Sequence, residues 1–295
     1  MYRLDYHGDD YGISKNNCVR FVELMKAGKI DSISIIPNMG SFDDAMKYLC
    51  EQWDGIEYKP LISVHLNIMD GFSLAGLKDS MLVRESSDGT IMNASWGKLF
   101  IKSYLPGKKG LRSQLTREIA AQIKRVYDNM PEGVELRLDS HQHTHMIPVV
   151  FDAMIDAIDT QGLTDKVTFV RVSREPLWMF LTTDGVRGTF PVINIVKNIL
   201  LNLLSGRAER ILEKRGIAYG GLWGLIMTGK MDRERVDLIL PKMEKYAIKG
   251  NRYIEILCHP GIVTESEKRP EYGIDDLAAF FSDNRNVEYN MLTSR

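Results

Sequence analysis

LDYHGDDYG, residues 4–12, opens the chain with an apolar lead-in and then sets a histidine, two adjacent aspartates and two glycines within six residues. Adjacent carboxylates repel each other, so the pair costs stability unless something cationic lies near. A plain turn is the alternative reading, because Asp and Gly are common in turns. The choice depends on whether the lead-in is the first strand of a repeated pattern.

Outward from residue 12, helix-like and strand-like segments alternate. Residues 15–26 carry Cys18, Phe21, Val22 and Met25 at i, i+3, i+4 and i+7, the apolar stripe of a helix. SISIIP (32–37) reads as a buried strand, and Ser41 is placed to cap a helix over 42–52. LISVHLN (61–67) is a further strand. Residues 70–110 form a long excursion rich in Gly, Ser, Asp and Lys, a length that usually signals function or disorder. The alternation then resumes with a helix (111–130), a strand (134–138), a helix opened by Pro148 (148–161) and a strand (167–172). An apolar helix to residue 204 continues as a charged one to 214. Residues 233–240 are helical, and Pro241 either kinks that helix or starts another to 246. YIEILCHPG runs from strand into turn, and 275–281 is a last helix. About seven strand–helix units with β-rich apolar strands predict an α/β fold: a TIM-like (β/α) barrel, irregular or incomplete, with an open doubly wound sheet as the alternative. No linker divides the chain, so residues 1–295 are expected to form a single domain.

Composition narrows the function. Apolar residues at 44% and charged residues at 26% describe a globular chain that can bury a core. The net charge of −1 provides no general field toward nucleic acid or acidic lipid. The start has no apolar signal region. The most apolar stretch, 190–204, is interrupted by Asn194, Lys197, Asn198 and Asn202 and is shorter than the about 20 residues a membrane span needs. Cys18, Cys50 and Cys258 are odd in number and widely spaced, suggesting neither a disulfide framework nor a cysteine zinc site. A cytoplasmic protein with reduced thiols is expected.

His7, His65, His141, His143, His145 and His259 all fall at or just beyond the ends of expected strands. In a parallel barrel those ends share one face, where active sites are built. Imidazole and carboxylate are common ligands of zinc and related ions, so a metal site is the simplest cause. The densest group is LDSHQHTHMIP (138–148). If extended, it points His141, His143 and His145 to one side, and Asp139 is placed to orient a ligand histidine. His7 is expected beside the site rather than as a ligand. Cys258 belongs to a run of buried-strand character, which argues against a thiol nucleophile. No nucleophile elbow, Walker sequence or dinucleotide fingerprint occurs.

HGDDYG, SVHLN, DSHQHTH and CHPG, in this order and at these spacings, resemble the YdjC-like carbohydrate deacetylases, which include the chitooligosaccharide deacetylases. The likeness covers nearly the whole chain. It implies a TIM-like barrel holding one divalent metal through Asp10, His65 and His141, with Asp9 as catalytic base and His259 in the active site. Gly8 stands where the family more often has Ala. The expected reaction is hydrolysis of an N-acetyl group on an amino sugar or oligosaccharide, with His259 protonating the leaving amine. Amides near residues 10–12 are expected to assist the oxyanion. Arg171, His143 and Tyr11 are expected to contact substrate, with Arg174 a further candidate, and Trp96, Trp178 and Trp223 are candidates for stacking on sugar. Zinc or magnesium leads the expected ions, with manganese, cobalt and nickel also compatible. Two other readings compete. One is a metal-dependent phosphoesterase or other barrel metallohydrolase, with His7, His143 and His145 supplying further ligands. The other is a metal-storage protein, against which the acid pair and His259 argue. The helix after residue 190 is a candidate homodimer contact.

Overall fold

The computed structural model describes residues 3–78 and 80–295. Seven parallel strands close into a barrel: β1 (Arg3–Tyr11), β2 (Ser32–Ile35), β3 (Leu61–Leu66), β6 (Leu136–Ser140), β7 (Val167–Arg171), β8 (Ala218–Trp223) and β9 (Tyr253–Cys258), with β9 pairing back onto β1. This is a TIM-like α/β barrel one strand short of eight, not the open sheet. The excursion after β3 folds into a hairpin, β4 (Val83–Ser86) and β5 (Gly89–Met92), followed by α3 (Trp96–Lys102). The other helices are α1 (Lys15–Lys26), α2 (Phe42–Trp53), α4 (Lys108–Tyr127), α5 (Pro148–Thr160), α6 (Leu177–Leu181), α7 (Val192–Arg215), α8 (Arg233–Gly250), α9 (Ile274–Phe280) and α10 (Asn284–Thr293).

Local chemistry sets several of these bounds. The Ser14 side chain caps α1 by accepting from the Asn17 amide, and Asp232 caps α8 by accepting from Arg235 N at 3.0 Å. Ser41 does not cap α2 as expected. Its hydroxyl donates to the carbonyls of Gly12 (2.6 Å) and Ile13 (3.0 Å), tying α2 to the turn after β1. Pro241 lies inside α8 without ending it. β8 was not expected, because its Tyr-Gly-Gly reads as a turn. A Cβ at Gly220 would meet Tyr253 at 2.8 Å, and one at Gly221 the Arg174 carbonyl at 2.7 Å, so both glycines serve close strand packing.

The apolar core lies between barrel and helices, not inside the barrel. Ile33, Ile35, Ile62, Val64, Leu138, Val170 and Ile256 are buried outward-facing strand residues. Most alternate positions face the lumen and are polar: Asp5, His7 and Asp9 on β1, Ser32 and Ser34 on β2, His65 on β3, Arg137 and Asp139 on β6, Arg171 on β7 and Glu255 on β9, with Phe169 and Leu257 as apolar exceptions. Arg171 joins Asp9, Asp139 and Glu255, and Arg137 bonds Glu255 at 2.8 Å. Buried Arg171 is matched by three carboxylates, whereas buried Arg137 has Glu255 and, at 3.7 Å, Asp5, and lies against the rings of Phe169 (4.1 Å) and Tyr253 (5.1 Å).

Candidate active site

Residues 9 and 10 would face opposite sides of a regular strand. Here β1 carries a bulge between Gly8 and Tyr11, and Asp10 takes a left-handed backbone (φ 73°). The bulge turns Asp10 back toward the lumen, so both carboxylates line the same cavity at the carboxyl ends of the strands. Packing against α1 and the segment before β2 requires Gly8: a Cβ there would meet the Phe21 ring at 2.4 Å and Ile30 at 2.6 Å.

Asp9 and Asp10 have different partners. Both oxygens of Asp9 accept from the Arg171 guanidinium, at 2.9 and 3.0 Å, and His7 Nε2 lies 3.1 Å from Oδ1. Burial pushes the Asp9 carboxyl up, but Arg171, His65 and His7 together hold it well below its usual range. Asp10 Oδ2 accepts from Arg285 at 2.6 Å, and Oδ1 lies 3.1 Å from His141 Nδ1 and 3.5 Å from His65 Nε2. Burial opposes ionisation of Asp10 too, and Arg285 and His141 overcome it. Asp10, His65 and His141 each present a donor atom within 4.8 Å of the others. His65 Nδ1 is held by Asp139 Oδ1 at 2.6 Å, which leaves Nε2 toward the cavity. Burial lowers the His65 pKa, but Asp9 and Asp139 more than reverse this and lift it to about 9.

The histidine-rich segment is not extended. Residues 141–146 form a tight 3₁₀ turn with Gln142 (φ 51°) and His143 (φ 55°) in left-handed conformations. His141 and His143 line the cavity, whereas His145 turns away and is held by Ser140 Oγ (2.6 Å) and the Arg171 carbonyl (2.9 Å). His143 is buried, Nδ1 has no hydrogen-bond partner, and burial with the nearby Arg171 charge keeps the ring neutral. His7 is fixed between Ser32 and Ser34, each at 2.6 Å. His259 reaches the cavity from the end of β9, with Nδ1 3.3 Å from Glu288. Burial lowers its pKa, and Glu288 outweighs that and raises it.

Several expected contacts are corrected. Tyr11 is fully buried, donates to the Ala45 carbonyl at 2.9 Å and does not line the cavity; the bulge that turns Asp10 inward turns Tyr11 into the core. Arg171 is also fully buried, bonding acids rather than facing the cavity. Arg174 pairs with Glu209 at 2.7 Å. The Gly12 amide is taken by Asn17 Oδ1 at 3.1 Å and is not free for an oxyanion. Trp223 is core, Trp178 is exposed away from the cavity lining, and Trp96 lines the cavity. Burial pushes the Cys258 thiol well above its ordinary range, so it is no nucleophile.

The cavity has a volume of about 640 Å³, within the range for small-molecule sites. One wall comes from α7 through Lys197, Leu200 and Leu201, a segment no motif placed. Another comes from α10, which was not anticipated and supplies Arg285 and Glu288. Their i, i+3 spacing puts both on one helix face, and that was the available signal.

Comparison with known proteins fits this architecture. A carbohydrate deacetylase from Danio rerio is 27% identical over 178 residues, 59% of this chain and half the length of that relative. A crystal structure of a putative cellobiose-phosphate cleavage protein from Enterococcus faecalis V583 superposes with a TM-score of 0.60 over 99% of this chain and 90% of that one, at 15% identity, which speaks to the fold alone. The model of the family described as YdjC-like protein matches residues 3–295, and the chain belongs to that family.

Proposed function

We propose that the protein is a divalent-metal-dependent deacetylase that hydrolyses the N-acetyl group of an amino sugar or short chitooligosaccharide. The observation that carries this reading is the division of labour on one cavity floor. Asp10, His65 and His141 converge as a donor set, and Asp9 beside them is committed to Arg171 and His7 instead. Family membership and the Danio rerio relative's description as a carbohydrate deacetylase support the reaction class.

The residues fit a dication. Six buried acids (Asp5, Asp9, Asp10, Asp139, Glu255, Glu288) face three buried guanidinium groups (Arg137, Arg171, Arg285), so the acids are in excess. The raised His65 pKa is the same excess felt as proton affinity. Two imidazoles and one carboxylate suit zinc, manganese, cobalt or nickel and admit magnesium. A bound ion would supply Lewis acidity toward the acetyl carbonyl and make water a stronger acid.

The chain's own groups do the rest. Asp9, kept ionised and aimed by Arg171 and His7, accepts the proton of the attacking water at a carboxylate oxygen. His259, whose pKa is raised by its contact with Glu288, is placed to donate to the leaving nitrogen. His143 lines the cavity and is placed to contact the sugar, and Trp96 offers a flat apolar face. Of the further ligands a two-metal phosphoesterase would need, His145 is held by Ser140 and the Arg171 carbonyl, His143 lines the cavity, and His7 converges with Asp5 and Glu255 and with Asp9 and Asp139, so one metal per chain, counted in the purified protein, is what favours the deacetylase. Asp9→Asn should retain metal and fold while deacetylation falls by about 100-fold or more, and His141→Ala should lose the metal. Near wild-type turnover in the first variant, or full metal occupancy in the second, would remove the assigned roles.

A further inference from the structure

Glu175 is wholly buried in the segment between β7 and α6 and plays no part in the chemistry above. Its carboxylate is met by neutral donors. Gly224 N (2.7 Å) and Leu225 N (3.1 Å) donate to Oε1, and Ile226 N (3.0 Å) and Asn198 Nδ2 (2.9 Å) donate to Oε2. Three consecutive amides turned onto one carboxylate form a nest. Gly224 (φ 143°) permits it, since a Cβ there would meet the Leu257 carbonyl at 2.7 Å. Burial pushes the carboxyl up to about 7 against the pull of these donors.

The asparagines that interrupt the apolar stretch of α7 belong to the same seam. Asn194, Asn198 and Asn202 stand about one turn apart on one helix face. Asn194 donates to the Ile226 carbonyl at 3.0 Å. Asn198 and Asn202 donate to the Glu175 carbonyl at 3.2 and 2.9 Å, and Asn202 Oδ1 accepts from the Glu175 amide at 3.2 Å. The buried residues in the N-terminal half of α7 are Asn198 and Leu201. Amide hydrogen bonds therefore do much of the work that apolar packing does for the other helices. The two segments joined at Glu175 also build one side of the cavity, with Lys197, Leu200 and Leu201 from α7 and Leu225, Thr228 and Gly229 from after β8.

We propose that Glu175 is the positioning residue of the sugar-binding wall: its buried carboxylate sets α7 against the segment after β8, and so fixes how tightly the cavity holds the sugar without acting on the acetyl group. This rests on reading the cavity as the sugar site. Glu175 itself does not line the cavity, so it acts through the residues it holds. Without the carboxylate, three buried N–H groups lose their acceptor and the seam opens. The Gly229 amide is bonded separately to Glu288 at 2.8 Å, so the end of the wall beside His259 keeps its own anchor.

Steady-state acetate release from an N-acetylglucosamine dimer, by the full chain supplied with a divalent ion, tests the proposal. Glu175→Gln keeps the shape but turns an amide group toward the nest. It should raise KM by at least about 10-fold and leave kcat within about twofold, with metal stoichiometry unchanged. Asn198→Ala cuts only the tie to α7 and should raise KM in the same direction. The double variant should match Glu175→Gln alone, because both changes act through one seam. Hydrogen exchange reads the wall without substrate: in Glu175→Gln, residues 224–226 and 192–203 should both exchange at least about 10-fold faster. An unchanged KM, a fall in kcat at unchanged KM, or additive KM effects would overturn the proposal, as would faster exchange confined to 224–226. If Glu175→Gln does not fold, Asn198→Ala carries both readouts, and an unchanged KM with unchanged α7 exchange overturns the proposal there. A wild type that releases no acetate sinks the deacetylase reading, and the exchange over 192–203 still decides the seam.

Discussion

Asp9 and Asp10 are neighbours in sequence and strangers in the fold, one clamped by Arg171 and the other facing His65, His141 and Arg285. That both acids would reach the strand-end face was legible from their adjacency and from histidines at later strand ends. That Arg171 serves Asp9 was not, because one arginine among many carries no sign of which acid it meets. Two consequences belong at this scale. Asp139→Asn cannot hold the His65 tautomer in the same way, and should weaken metal binding by about 10–100-fold in a calorimetric titration while leaving one site per chain. Gly8→Ala forces a methyl into Phe21 and should cost about 1–3 kcal/mol in urea unfolding. Phe21→Leu in the same chain should recover part of that loss.

At the scale of elements, regular strands and amphipathic helices were readable because burial imposes their periods. The decisive pieces were irregular. The bulge at Asp10 and the left-handed turn at Gln142–His143 break the two-residue alternation, so no pattern of hydrophobicity records them. They decide that Tyr11 enters the core and that His145 turns from the cavity. β8 was hidden by its glycines and α10 by its short polar sequence. Linkage gives the pH dependence of this assembly without metal. The Asp139 carboxyl is pushed up by burial and held down to about 2 chiefly by Arg171 and His65, so its stabilisation is present above about pH 4 and lost as pH falls toward 2. His65 is raised to about 9, so its stabilisation is complete below about pH 6.5 and lost as pH rises through 9. Urea midpoints of chelated protein should therefore be highest between these limits, and His65→Gln should flatten the alkaline fall.

For the whole molecule, the barrel class followed from seven strand–helix units, but the ionic lumen did not. A TIM-type interior is ordinarily filled with branched aliphatic side chains. Here the alternation of Asp5, His7 and Asp9, and of Arg137 and Asp139, turns charge inward and leaves the apolar positions to the helices. Such a lumen is stable only while its charges are matched. Arg171→Met strands Asp9, Asp139 and Glu255, and should destabilise the fold by about 3–5 kcal/mol in urea. The same lumen lies beneath the proposed metal ligands Asp10, His65 and His141, which joins fold to the proposed chemistry. Acetate release from N-acetylglucosamine oligomers, followed with and without a chelator, tests that link most directly. The account predicts release that stops on chelation and returns when a divalent ion is restored. Undiminished release from fully metal-free protein would contradict it.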